Sequence, residues 1–285
     1  MKVLVATDGS KYGKWAIEWL ARVPFVTKPV VRVVHAVDIA ALRAPFMIQP
    51  VIVGSERYIQ AEIRRMEAAA KSAKKESAAV LTSLGLTGTV TVDRGAVGPT
   101  IVRHCKRGVG LLIMGSRGLD ALDRFMLGSV STYAIHHAPC SVLVVREAPR
   151  PVRQIVVALD GSPASDKAVR FLMRNLNPQP NGPDDEPIRV VVAHVMPFLK
   201  YPEVREAGRA VVRRYADQFA KAGFQISEAP RLGKPADEIL KVAQQHKAEL
   251  VVTGAKGLGA LGRALLGSVS TRVVQHSACS VLVVR

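Results

Sequence analysis

The chain is short of aromatic residues, cysteine, acidic charge and long apolar runs, and each shortage narrows what it can be. Aromatics are 5% of its 285 residues while nearly half are apolar, so the core must come from Val, Ala, Leu and Gly, the mixture of parallel strands packed under helices. The three cysteines, Cys105, Cys140 and Cys279, form an odd set without C-x-x-C spacing, which argues for a reducing compartment and against a zinc site. Cys140 and Cys279 stand at matching places just before a strand and read as small buried residues. No apolar run reaches the ~18 residues of a membrane span. The opening MKVLVATDGS meets Asp8 and Gly9 too early for a secretory leader and reads as a strand, so a cytoplasmic location is expected.

Acids are outnumbered, 23 against 40 bases, for a formal charge of +17. Such a chain attracts polyanions: nucleic acid, an anionic lipid surface or nucleotide phosphates. The bases are scattered, as in Arg64, Arg65, Lys71, Lys74 and Lys75, and in Arg205, Arg209, Arg213, Arg214 and Lys221. They read as solvated helix faces in preference to a nucleic-acid footprint. Catalytic equipment is also sparse. There is no G-x-x-x-x-G-K-[ST] loop, and His35 and His194 lack partners at metal-ligand spacing. Asp120 and Asp123 are the acids nearest a glycine loop, but Gly259 and Gly262 fill the matching places in the repeat described next. No catalytic residue and no metal ligand is assigned.

What the chain does have is a duplication. LLIMGSRGLDALDRFMLGSVS, Leu111 to Ser131, is written again as LVVTGAKGLGALGRALLGSVS, Leu250 to Ser270. Each copy is an apolar run ending in Gly, then G-x-x-G, nine residues, and G-S-V-S opening an amphipathic segment. The pattern predicts a strand, a glycine loop and a helix N-terminus, whose unpaired N–H groups and dipole suit a phosphate. Gly115, Gly118 and Gly128, with Gly254, Gly257 and Gly267, are expected to let the backbone approach an oxyanion where a Cβ would intrude. The alternative is an ordinary turn. Arg124 and Arg263 recur at one offset, able to reach a phosphate or to lie on a solvated face.

The rest of the chain repeats around those copies. KVLVAT closes on Asp8-Gly9-Ser10, and RQIVVAL on Asp160-Gly161-Ser162. Each Asp sits at a strand's C-terminal end, where open parallel sheets bind ligands, so Asp8 and Asp160 are candidates for a sugar hydroxyl as well as for turn formation. Helices are expected near Lys11 to Arg22 and Ala164 to Asn175, second strands at Val30 to Val37 and Ile188 to Val195, and long polar helices over Glu56 to Leu84 and Glu203 to Ala222. The halves differ most at Asp38 to Gly54, an apolar, Pro-containing stretch that reads as a flap or a packing surface. Third strands lead to Gly95 and Gly233, helices with Ile101 and Ile239 follow, and both halves end on CSVLVVR, an edge strand expected to pair with its twin. Glu147 to Pro151 is a Pro-bounded linker. Each half reads βαβαβαβαβ, so the fold class is α/β, two tandem doubly wound domains of five parallel strands each, over residues 1–147 and 152–285.

On G-x2-G-x9-G-S, met by Gly115, Gly118, Gly128 and Ser129 and again by Gly254, Gly257, Gly267 and Ser268, on V-x-x-D-G-S at the start and on C-S-V-L-V-V-R at the end of a half, the chain resembles the universal stress protein family in its tandem form. The resemblance implies a fold of the HUP (adenine nucleotide α-hydrolase-like) type that binds ATP, with magnesium as a candidate companion. Phosphate contacts would then fall on Gly115, Gly118, Gly128, Ser129, Val130 and Ser131, and on Gly254, Gly257, Gly267, Ser268, Val269 and Ser270. Ribose contacts would fall on Asp8 and Asp160, and adenine contacts on the backbone near Ala36 and Val37 and near Val195 and Met196. The implied role is a nucleotide-binding stress protein built as an intramolecular pseudo-dimer, with a homodimer as a further option. A slow ATPase or self-phosphorylating protein and a basic nucleic-acid-associated protein are the alternatives. The second loop departs from the first, with Ala255 for Ser116 and Lys256 for Arg117, so the two sites need not be equal.

Overall fold

A computed structural model describes residues 1–40, 55–118, 127–180, 182, 186–196, 202–257 and 266–285. The first half runs β1 (Lys2–Ala6), α1 (Lys11–Glu18, continued by a 3-10 turn over Trp19–Ala21), β2 (Val30–Val37), α2 (Ser55–Ser83), β3 (Gly88–Arg94), α3 (Val97–Cys105), β4 (Leu111–Gly115), α4 (Ser129–His137) and β5 (Ser141–Val145). The second half repeats it as β6 (Gln154–Ala158), α5 (Pro163–Asn175), β7 (Arg189–Met196), α6 (Pro202–Lys221), β8 (Gln225–Leu232), α7 (Pro235–Gln245), β9 (Leu250–Gly254), α8 (Ser268–His276) and β10 (Ser280–Val284). The alternation expected from the sequence is therefore present, with boundaries moved by a residue or two.

Among the described residues, the strands lie in one ten-stranded sheet, ordered β3-β2-β1-β4-β5-β10-β9-β6-β7-β8. Every neighbouring pair is parallel except β5 with β10, which pair antiparallel with Leu143 opposite Leu282. Helices cover both faces, so β4, β5, β9 and β10 are buried along their whole length, which is why they read as unbroken apolar runs. In each half the chain reverses its direction of winding between the first and fourth strands of that half. That leaves a crevice above their C-terminal ends, between β1 and β4 and between β6 and β9.

The halves also cap each other. Arg146, just after β5, donates to the carbonyls of Val274 and Gln275 at the end of α8. Arg285, after β10, does the same to Ile135 and His136 at the end of α4. Each guanidinium thus meets the negative end of a helix dipole and its orphan carbonyls. Burial, then repulsion from Arg117, pushes the Arg146 guanidinium down to about 10, which leaves it charged at neutral pH. We expect Arg146→Ala with Arg285→Ala to cost about 3 kcal/mol, from hydrogen bonds to a charged donor lost at two helix ends. A urea titration measures this, and an unchanged midpoint would show the caps to be inert.

Candidate functional site

A cleft opens at each crevice, of about 570 Å³ in the first half and about 560 Å³ in the second. The Asp-Gly-Ser turn forms one wall. Gly9 and Gly161 both sit at φ +81, a left-handed conformation that glycine adopts without strain. The turn is closed by the aspartate: Ser10 N–H donates to Asp8 Oδ1 at 3.0 Å, and Ser162 N–H to Asp160 Oδ1 at 3.0 Å. The other carboxylate oxygen faces the glycine loop. A Cβ on Gly118 would stand 2.6 Å from Asp8 Oδ2, and one on Gly257 2.5 Å from Asp160 Oδ2. The second glycine of each motif therefore exists so that the carboxylate can approach the loop, and turn-building and site-facing roles coexist in one residue.

The opposite wall is the start of α4 or α8. Where the chain needs a stable helix start it supplies a serine, as at α1, where Ser10 Oγ accepts from Gly13 N–H, and at α5, where Ser162 Oγ accepts from Ser165 N–H. At α4 and α8 the N-cap is Gly128 or Gly267, and no side chain caps the end. The first-turn N–H groups of Ser129, Val130 and Ser131, and of Ser268, Val269 and Ser270, have no intrahelical acceptor. Both helix starts line the clefts. Two donor sets and two positive dipole ends therefore open where an anion can sit. Arg117 lines the first cleft and Lys256 the second; Arg117 is steered by a 3.2 Å bond to Tyr12 Oη.

Asp8, Ala36, Val37, Gly115, Gly118, Gly128, Ser129, Val130 and Ser131 all line the first cleft. In the second, Asp160, Val195, Gly254, Gly257, Gly267, Ser268, Val269 and Ser270 do so. Met196 does not. It is buried, and its thioether fills the notch left by Gly208 on α6, because alternation along β7 turns it away from the face that Val195 presents. Ser131 and Ser270 contribute backbone only, since their hydroxyls donate inward to the carbonyls of Gly115 and Gly254 at 2.8 and 2.7 Å. Gly115 and Gly254 meet a packing requirement as well. A Cβ there would strike α1 at Tyr12, 2.7 Å away, or α5 at Ala164, 2.8 Å away. Helix-on-strand packing therefore requires glycine at both positions, which also line the clefts.

Sequence reasoning missed several lining residues. Thr7, His35, Asp38 and Met66 border the first cleft, and Leu159, Pro235 and Thr253 the second. Ile101 and Ile239, matched across the repeat, line them too; that match was the available signal. His194 is satisfied as expected at a strand end, its Nδ1 at 2.7 Å from the carbonyl of Leu159. His35 is buried beneath the first cleft, and burial holds its pKa below the usual histidine range against the opposing pull of Asp8. Arg124, Arg263, Asp120, Asp123 and most of the stretch Asp38 to Gly54 lie outside the described residues. Among the described residues, no cluster of three or more His, Cys, Asp or Glu could hold a metal ion, and no helix is long and apolar enough to cross a membrane.

The profile of the universal stress protein family matches residues 1–146 and again 151–285. A universal stress protein of Mycolicibacterium smegmatis is 28% identical over 299 residues, covering 99% of this chain and 96% of that one. One from Mycobacterium tuberculosis is 28% identical over 312 residues, covering 99% and 94%. A solved universal stress protein from Archaeoglobus fulgidus superposes with a TM-score of 0.71 at 20% identity, covering 100% of this chain and 98% of that one, which is a likeness of fold.

Proposed function

Because the chain belongs to the universal stress protein family, with two of its domains in tandem, we propose that it is a cytoplasmic ATP-binding stress protein in which bound nucleotide alters stability or association. The observation that carries this is the pairing, in both clefts, of an uncapped helix start with an aspartate across the switch point. A nucleotide supplies what each wall lacks. Its phosphates accept from the first-turn N–H groups of α4 or α8 beside Arg117 or Lys256, and its ribose hydroxyls donate to Asp8 or Asp160. The adenine lies toward the ends of β2 and β7, over Ala36, Val37 and Val195. Magnesium accompanies the phosphates as a counter-ion, with solvent in the rest of its shell.

The domains proposed are residues 1–147 and 152–285. The β5–β10 pairing and the reciprocal arginine caps support an intramolecular pseudo-dimer, since together they cover the edge that each half would otherwise expose. Further self-association would use the outer edges at β3 and β8. The test is to denature freshly purified protein and identify released small molecules by mass spectrometry. We expect adenine nucleotide to be released, in amounts that fall when Gly128 and Gly267 are both replaced. Release of no nucleotide, together with no uptake of added ATP, would overturn the reading.

A further inference from the structure

The two aspartates sit in different hydrogen-bond settings. Asp160 Oδ1 accepts from Ser162 N–H at 3.0 Å and from Ser165 Oγ–H at 2.8 Å. Ser165 Oγ in turn accepts from Asp160 N–H at 2.9 Å, and the serine is buried. A carboxylate oxygen offers about two acceptor directions, so Asp160 Oδ1 is filled by the protein's own donors. In the first half the residue matching Ser165 is Gly13. It has no hydroxyl to offer, and Asp8 Oδ1 receives the Ser10 N–H alone among the described side-chain bonds.

The surroundings reinforce the difference. A Cβ on Gly13 would fall 2.3 Å from Thr7 Oγ1 and 3.0 Å from Asp8 Oδ1, so Thr7 and a serine at this position exclude each other. In the second half Leu159 replaces Thr7, which clears the space for Ser165 and removes a hydroxyl from the cleft wall. Thr7 with Gly13 and Leu159 with Ser165 are thus two self-consistent pairs. One leaves a place on Oδ1 for an outside donor and the other fills that place from within, while Oδ2 faces the glycine loop in both halves.

Resting on the nucleotide reading above, we propose that the clefts differ in sugar selectivity, with Ser165 as the discriminating residue. The first cleft selects ribonucleotides, through hydroxyl donation to Asp8. The second, in which Oδ2 alone is left to accept a hydroxyl, discriminates less between ribo- and deoxyribonucleotides and holds its ligand chiefly by the phosphate and base ends. A site that hydrogen-bonds a substrate hydroxyl rejects the analogue lacking it, and does so less sharply where the protein's own donors already occupy part of the acceptor.

The test measures ATP, 2′-deoxy-ATP and 3′-deoxy-ATP binding by calorimetry on whole chains with one cleft closed. With the second cleft closed by Gly267→Val, we expect at least one deoxy analogue to bind roughly tenfold more weakly than ATP, one well-placed hydrogen bond. With the first closed by Gly128→Val, the ratio should stay below about threefold. Adding Ser165→Ala to the Gly128→Val chain should raise it toward tenfold, and retained ATP binding shows that this chain is folded; Ser165→Gly serves if the alanine variant does not fold. Equal discrimination in both clefts, or no change on removing the Ser165 hydroxyl, would overturn this proposal while leaving nucleotide binding intact. Failure of both single-cleft chains to bind ATP would overturn the nucleotide reading and this proposal with it.

Discussion

Replacing Gly128 and Gly267 together by valine should leave a folded protein that no longer binds ATP. Neither glycine is required by its backbone, since the φ and ψ values are −64 and 153 at Gly128 and −66 and 151 at Gly267, an extended conformation open to any residue. A Cβ at Gly128 would meet Ser116 O at 3.4 Å, and one at Gly267 would meet Ala255 O at 3.5 Å, ordinary contact distances. The structural cost is that of a poor N-cap, about 1 kcal/mol per helix. The functional cost is larger. Each valine places its methyls beside the first-turn N–H groups, in the cleft that the glycine lines. Losing two charge-assisted bonds of about 1.5 kcal/mol or more each weakens binding at least ~100-fold. Circular dichroism and calorimetry on the same sample separate the two effects. Full-strength ATP binding by the double variant would refute the placement of the phosphates.

The same substitution one strand earlier should do the opposite. Gly115→Val or Gly254→Val is expected to damage the fold first, lowering stability by about 3 kcal/mol or more. At Gly115 the added Cβ would lie 3.0 Å from the backbone carbonyl of Tyr12, and at Gly254 3.0 Å from that of Ala164. A backbone in a helix cannot swing aside as a flexible side chain would, so α1 or α5 must lift off the sheet, and overpacking of this kind costs ~1–3 kcal/mol before any branch is counted. Thermal unfolding reads the result. A variant that unfolds like the parent yet loses ATP would return these glycines to the phosphate site.

This contrast shows what a glycine motif reveals and what it hides. Gly115, Gly118 and Gly128 share one pattern in the sequence and serve three physical ends: helix packing, approach of the Asp8 carboxylate, and an uncapped helix start. The first two ends involve residues distant in the chain, Tyr12 and Asp8, and spacing within one motif carries no information about such partners. The duplication was more informative. It identified two domains, the strand–loop–helix junctions and the β5–β10 strands, because each of those is a local pattern of apolar period and turn residues written in both halves.

Other features were legible only in part. Ala36, Val37, Val195 and Met196 follow from where a parallel strand must end, but that argument does not give side-chain directions, and the Met196 thioether turns to Gly208 on α6. His35 and His194 look equivalent in the sequence, yet one lines a cleft and the other does not. The reciprocal caps of Arg146 and Arg285 had no local signal, since each arginine answers a helix in the other half. Ser165 reads as an ordinary helix residue until its hydroxyl is seen on Asp160.

Titration of nucleotide-stripped whole chain with ATP in a calorimeter tests nucleotide binding by the two clefts most directly. Saturable binding at about two sites per chain, reduced to one by either Gly128→Val or Gly267→Val and to none by both, is the predicted result. Absence of saturable binding by the parent chain, or binding that both substitutions together leave unchanged, would contradict it.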